Sequence, residues 1–91
     1  MLTTAVVLFV KNEVEDIVSW LSWHFYCGFN SIIVYDDFST DGTWEILAQA
    51  AKIYDIKCHR AVGAEQFNLR QRETYIDAIN RYRNEFDWLL F

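Results

Sequence analysis

The chain has 91 residues, 53% of them hydrophobic and 18% aromatic, and a formal net charge of −5. A chain this short forms one small domain at most and buries a smaller share of its surface than a typical domain does. The acidic balance excludes general nucleic-acid binding, which needs a basic face, and no apolar run is long enough to span a bilayer.

Four Trp, five Tyr and seven Phe are core material for something larger than 91 residues, so the composition implies self-association or a missing part of the fold. The charge is also uneven. Residues 1–50 carry one Lys against seven acids, whereas residues 51–91 carry seven Lys and Arg against six acids. Met1 leads straight into Ala5 to Val10, with no basic segment and no small-residue cleavage site, so no signal peptide is expected. Cys27 and Cys58 lack metal-ligand spacing; both are expected to be reduced and buried in a cytoplasmic protein.

Four apolar runs alternate with three helical patterns. That order predicts an α/β fold of three layers, α/β/α, around a mostly parallel sheet. The first run, Ala5 to Val10, is continuous, as for a central strand covered on both faces, and the second strand should pair beside it. Asn12 and Glu15 have capping-box spacing, and Val14, Ile17, Val18, Leu21 and Phe25 recur at helical intervals up to a terminating Gly28. Ser31 to Tyr35 reads as the second strand, followed by a polar loop from Asp36 to Gly42. A second helix should turn Trp44, Leu47, Ala48, Ala51 and Tyr54 to one face. Ile56 to Val62 reads as a weaker strand nearer an edge. A third helix from about Asn68 should point Tyr75, Ile76, Ile79, Tyr82 and Phe86 inward. Trp88 to Phe91 reads as a buried strand, inside which the sequence stops; a truncated domain is the expectation.

Open parallel sheets bind ligands beyond the carboxyl ends of their strands. Lys11-Asn12-Glu13 follows the first strand and Asp36 to Gly42 the second, so two polar, acidic loops should share that edge. Such loops are either solvated turns or a binding site. Neither G-x-G-x-x-G nor G-x-x-x-x-G-K-[ST] is present, so a bound diphosphate would need a cation held by carboxylates.

Val10-Lys11-Asn12-Glu13, Trp20, His24, Gly28-Phe29 and the run from Ile33 to Thr43, with Asp36-Asp37-Phe38-Ser39-Thr40-Asp41-Gly42 at its centre, resemble the start of family 2-like glycosyltransferases. They look most like the subgroup that runs "KNE…EW…H…G…YDN.S.DGT". Gln71, Tyr75 and Phe86 to Phe91 extend the resemblance over essentially the whole chain. It implies a partial GT-A, Rossmann-like fold: the N-terminal, nucleotide-binding portion (residues 1–91) of an enzyme that moves a sugar from a nucleotide-diphosphate sugar to an unknown acceptor. By the same resemblance, Asn12 and Glu13 match the first nucleotide-contacting loop. Asp36 or Asp37 matches the carboxylate that reads uracil or ribose. Arg70 and Gln71 match a segment near the diphosphate or sugar. Ser39 joins these candidates, although it and Asp41 are expected chiefly to shape the turn and cap the second helix. The family's metal-binding D-x-D-E-like motif would come next after Phe91, so no catalytic residue or metal ligand is assigned here. Manganese or magnesium is expected in the intact enzyme, and none on this chain, which is expected to be inactive. The alternative is a non-catalytic Rossmann-like module that binds a nucleotide or a partner.

The remaining conspicuous residues are expected to be structural. His24 should be packed and hydrogen-bonded, and His59 partly exposed. Trp20, Trp23 and Trp44 should pack in the core, and Arg70, Arg72, Arg81 and Arg83 should form a solvated face with Glu73, Asp77 and Glu85.

Overall fold

Continuous apolar strands need cover on both faces, and the fold supplies it from three helices. The structure is a computed structural model that describes residues 2–63 and 66–91. Its elements are β1 (Thr4–Val10), α1 (Ile17–Tyr26), β2 (Ser31–Asp36), α2 (Thr43–Ala50), β3 (Ile56–Arg60), α3 (Phe67–Tyr82) and β4 (Trp88–Leu90). The sheet runs β3-β2-β1-β4 and every pairing is parallel. β1 is therefore interior and lies beside β2, as its unbroken apolar run predicts.

Side chains alternate between the two faces with period two. Val6, Val10, Ile32 and Val34 meet Ile17 and Leu21 of α1 and Leu47 of α2 on one face. Ala5, Val7, Ile33 and Tyr35 meet Ala78 and Tyr82 of α3 on the other. The chain steps outward from β1 to β3 and then returns across the sheet to β4. Crossovers of one hand place α3 opposite α1 and α2. Three layers follow from that reversal. All six residues of β2 are buried, and each of its Ile and Val side chains contributes roughly 1.5–3 kcal/mol by leaving water.

Helix α1 ends as its sequence predicts. Gly28 takes φ +101°, its N–H donates to Phe25 O at 3.0 Å, and the N–H of Phe29 donates to His24 O at 3.3 Å. That pair of bonds is a Schellman motif, which satisfies carbonyls the helix leaves open.

Several expectations are corrected. The capping box does not form: α1 begins at Ile17 after a turn in which Asp16 N and Ile17 N donate to Glu13 O. The Asn12 amide oxygen serves another loop, leaving it no part in capping. Val18 is exposed, because Ile17 and Leu21 define the inner stripe. Helix α2 turns Thr43, Ile46, Leu47, Ala50 and Ala51 inward, and Tyr54, beyond its end, stays exposed. On α3 the buried line is Thr74, Ala78 and Tyr82, while Ile76 and Ile79 face solvent. Small residues let that helix approach the sheet closely, and this outweighs the apolar character of the isoleucines. β4 is an edge strand with Trp88 and Leu90 exposed and Leu89 turned toward α3. Trp20 and Trp23 are exposed, Trp23 stacking on Tyr26, and Cys27 is exposed at the end of α1. Among the described residues no helix is long and apolar enough to cross a membrane.

Candidate functional site

Parallel strands deliver their carboxyl ends to one edge. The registers set Val10 beside Asp36 and Asp36 beside Arg60, so β1, β2 and β3 end in one row. The loops after β1 and β2 are then close enough to be joined.

Asn12 N donates to Ser39 Oγ at 2.8 Å, and Thr40 N donates back to Asn12 Oδ1 at 2.8 Å. Asn12 itself takes the left-handed conformation, φ +53°, which asparagine tolerates better than most residues. Glu13 N donates to Thr43 Oγ1 at 2.9 Å, and Val14 N to Asp41 Oδ2 at 3.1 Å. Asp41 Oδ1 accepts from Thr43 N and Oγ1 at 3.0 and 2.6 Å. The hydrogen bond from the Thr43 hydroxyl is the main cause that holds the Asp41 carboxyl below its usual range. Asp41 thus shapes the turn before α2, as expected, but the N-cap position itself is Gly42, φ +101°, with no side-chain cap bond. Ser39 does more than shape a turn, because it also bonds the first loop.

Asp36 is the last residue of β2 and Asp37 follows it; their residue exposures are 0% and 1%. This corrects the picture of an open acidic loop. Asp36 accepts from Ser39 Oγ at 2.5 Å and Ser39 N at 2.9 Å, and pairs with Arg60 Nη1 at 2.7 Å. Asp37 is gripped at two points by Arg70, whose Nε and Nη2 donate at 2.6 and 2.8 Å. Such a fork-to-carboxylate pair is among the stronger charge-assisted arrangements. Arg70 therefore leaves the solvated arginine face and turns onto the sheet edge. The bond to Asp37 raises its already high pKa. Arg81 stays on that face, bonded to Asp77 at 2.8 Å.

Sequence reasoning missed Arg60 and Phe38 and placed Trp44 in the core, whereas Trp44 is only partly buried and lies against Arg60. The Arg60 guanidinium lies 3.9 Å from the centre of the Trp44 ring and 5.5 Å from that of Phe38. The signal was available: Arg60 ends the third strand at the same edge where the acidic loops end. Phe38 holds φ +55°, and its residue exposure is 57%.

Of the expected site residues, Asn12, Asp36 and Ser39 are joined directly, and Asp37 and Arg70 form the adjacent pair. The Glu13 backbone belongs to the same tie, while its residue lines a hollow with Glu15, Asp16 and Asp41. Gln71 is turned along α3, its Nε2 donating to Tyr75 Oη at 3.3 Å. His24 is hydrogen-bonded to Trp20 O at 2.7 Å and packs near Phe29, a structural arrangement.

A second polar group lies under α3. Tyr35 donates to Asp77 at 2.7 Å, and burial, then that bond, raises its phenol pKa. His59 stacks on Tyr35 with ring centres 5.0 Å apart and hydrogen-bonds Tyr82 Oη through Nε2. Burial, followed by the nearby Arg81 charge, lowers its pKa.

Among the described residues no group of three or more His, Cys, Asp or Glu is gathered to hold a metal ion. Asp36 and Asp37, at the end of β2, are committed to guanidinium partners. These two carboxylates do not fit a divalent cation. No protein-family model, curated protein or solved structure matches the chain.

Proposed function

We propose that the chain is the nucleotide-binding portion of a family 2-like glycosyltransferase of GT-A fold, and that its ligand is a nucleotide-diphosphate sugar. The observation that carries this reading is the joining of the loops after β1 and β2 through Asn12, Ser39 and Asp36 at the carboxyl edge of a parallel sheet. Sheets of this kind hold nucleotides there. Acidic residues alone would repel phosphate, but Arg60 and Arg70 supply compensating charge beside Asp36 and Asp37. The divalent cation that the resemblance implies would need ligands other than the described residues, and the acceptor is unassigned. Self-association through the exposed edge of β4 belongs to the same reading, since Trp88 and Leu90 offer apolar surface on a strand paired with β1 on one side only. So does a cytoplasmic setting, with Cys27 and Cys58 as free thiols.

A second reading, a module that binds a nucleotide or partner without turnover, is favoured by one observation. Both candidate carboxylates are already satisfied within the chain. Titration with uridine diphosphate and its glucose conjugate, followed residue by residue by amide NMR shifts, tests the binding claim. Saturable shifts at Asn12, Asp36 and Ser39 are expected. Shifts confined to the groove that Leu21, Phe25, Ile46 and Ala50 line between α1 and α2, or none, would remove the glycosyltransferase reading and leave only a partner-binding module. Sugar transfer or hydrolysis of the conjugate then separates the enzyme from the module.

A further inference from the structure

We infer that Phe38, with Arg60 behind it and Trp44 supporting Arg60, is a stacking platform for the planar base of a nucleotide, and so a residue that determines ligand specificity. Three observations converge on Phe38. Its backbone is left-handed, φ +55°, a conformation in which a bulky residue is an outlier and which glycine adopts freely. Strain of that kind persists where the surroundings over-determine it, and it concentrates at ligand sites. The strain places a large ring in solvent, with 57% of the residue exposed, at the edge where β1, β2 and β3 end. A residue placed for core packing would do the reverse.

The guanidinium next to the ring is itself immobilised. Arg60 Nη1 is bonded to the buried Asp36, and the guanidinium carbon lies over the Trp44 ring, 3.9 Å from its centre. One of five guanidinium N–H donors is used by Asp36. The guanidinium lies over one face of the Phe38 ring, its central carbon 5.5 Å from the ring centre, so a base would stack on the other, exposed face. A planar base offers that face a flat π surface, whereas a hexose presents C–H groups and hydroxyls, so the arrangement favours a base. Asp36 thereby acts as a positioning residue: it holds the guanidinium in place.

This inference rests on the nucleotide reading and adds to it the residue that grips the base. Its test compares uridine diphosphate, adenosine diphosphate and ribose 5-phosphate, which lacks a base, on the 91-residue chain and on Phe38→Gly and Phe38→Tyr. Binding is read by calorimetry. Phe38→Gly should weaken both diphosphates about tenfold, in line with the loss of one base–aromatic stack, and leave ribose 5-phosphate unchanged. Phe38→Tyr should retain binding of the diphosphates. The glycine variant suits the left-handed backbone, so its thermal midpoint should hold or rise, which separates lost stacking from lost folding. Equal affinity of the original chain and Phe38→Gly for both diphosphates would overturn the platform while leaving the nucleotide reading standing. Equal weakening of ribose 5-phosphate would also overturn the platform. Failure of the original chain to bind either diphosphate would remove both.

Discussion

Arg70 and Asp37 close a two-point bond across the molecule: Nε and Nη2 of the arginine, on the first turn of α3, reach a carboxylate 33 residues earlier at 2.6 and 2.8 Å. The pair ties the N-terminal end of α3 to the end of β2, on the side of the sheet where the acidic loops gather. Asp37 is shut from solvent, and a buried carboxylate is costly without a partner such as this one.

Removing the arginine should therefore harm the fold more than removing the charge it neutralises. Arg70→Ala leaves a buried carboxylate unpaired and is expected to lower the thermal midpoint by several degrees. Asp37→Asn should cost less, because it abolishes the buried charge and keeps an acceptor. In the double variant the two effects should fall short of their sum, as they do for residues that share one interaction. Additive effects in that cycle would show the pair to be energetically idle.

Thr74 shows how a polar residue becomes core. Its hydroxyl accepts from Val62 N at 3.1 Å and donates to Val62 O at 3.3 Å, and the residue is fully buried. Thr74→Val keeps the shape and strands both backbone groups. A loss of about 1–2 kcal/mol is expected in urea unfolding, the usual cost of an unsatisfied buried group. A neutral substitution would mean that these groups find other partners.

The faces of α3 give a paired test. Ala78 is fully buried against Tyr35 and Ile33, and Ile79 next to it is exposed. Ala78→Leu should destabilise by roughly 1–3 kcal/mol through overpacking, whereas Ile79→Lys should stay within about 0.5 kcal/mol. The reverse ranking would rotate the helix.

These cases show what the residues made legible. Continuous apolar runs located β1 and β2 and gave their order, because a strand covered on both faces has no alternative pattern. Gly28 marked the end of α1 because its left-handed cap needs no side chain. Helix faces were read less well. Ile76 and Ile79 outrank Thr74 and Ala78 in hydropathy, yet the sheet selects small side chains where a helix lies close. The site was legible as an edge and as a set of acids. Its compensation was legible only in part: the strand reading puts Arg60 at that edge, but its pairing with Asp36, 24 residues earlier, and that of Arg70 with Asp37, 33 residues earlier, depend on the register of β3 and the return of α3. Periodicity carries no information about such pairings.

His59 predicts a pH dependence with a definite sign. Its ring faces Tyr35 and Tyr82, with Asp77 and Arg81 as the charged neighbours, and burial first, then Arg81, depresses its pKa below the ordinary value in the folded chain. The unfolded chain then binds a proton at higher pH than the folded one. Stability is fully present above the unfolded value of about 6.5 and falls as pH drops through it toward the folded value. Urea midpoints between pH 8 and pH 5 should decline, and His59→Gln should flatten the part of the curve nearest pH 6.5. An unchanged slope in that variant would place the titrating group elsewhere.

The two thiols should differ sharply in reactivity, and the difference reports on α2. Cys27 is exposed at the C-terminal end of α1. Cys58 lies on β3, is half-buried, and its Sγ donates to Leu47 O at 3.4 Å. Burial first, then the Asp36 charge, pushes its pKa up to about 11. Only the thiolate attacks an alkylating reagent, and at pH 8 a group with that pKa is ionised to roughly one part in a thousand. Iodoacetamide at pH 8 should therefore label Cys27 alone in the folded chain, as read by peptide mass spectrometry. Cys58 should become reactive only when urea lifts α2 from the sheet, since that removes both the burial and the Leu47 contact. Its labelling curve should then track the unfolding transition seen by circular dichroism. Equal labelling of both cysteines without urea would mean that α2 does not cover β3 in solution.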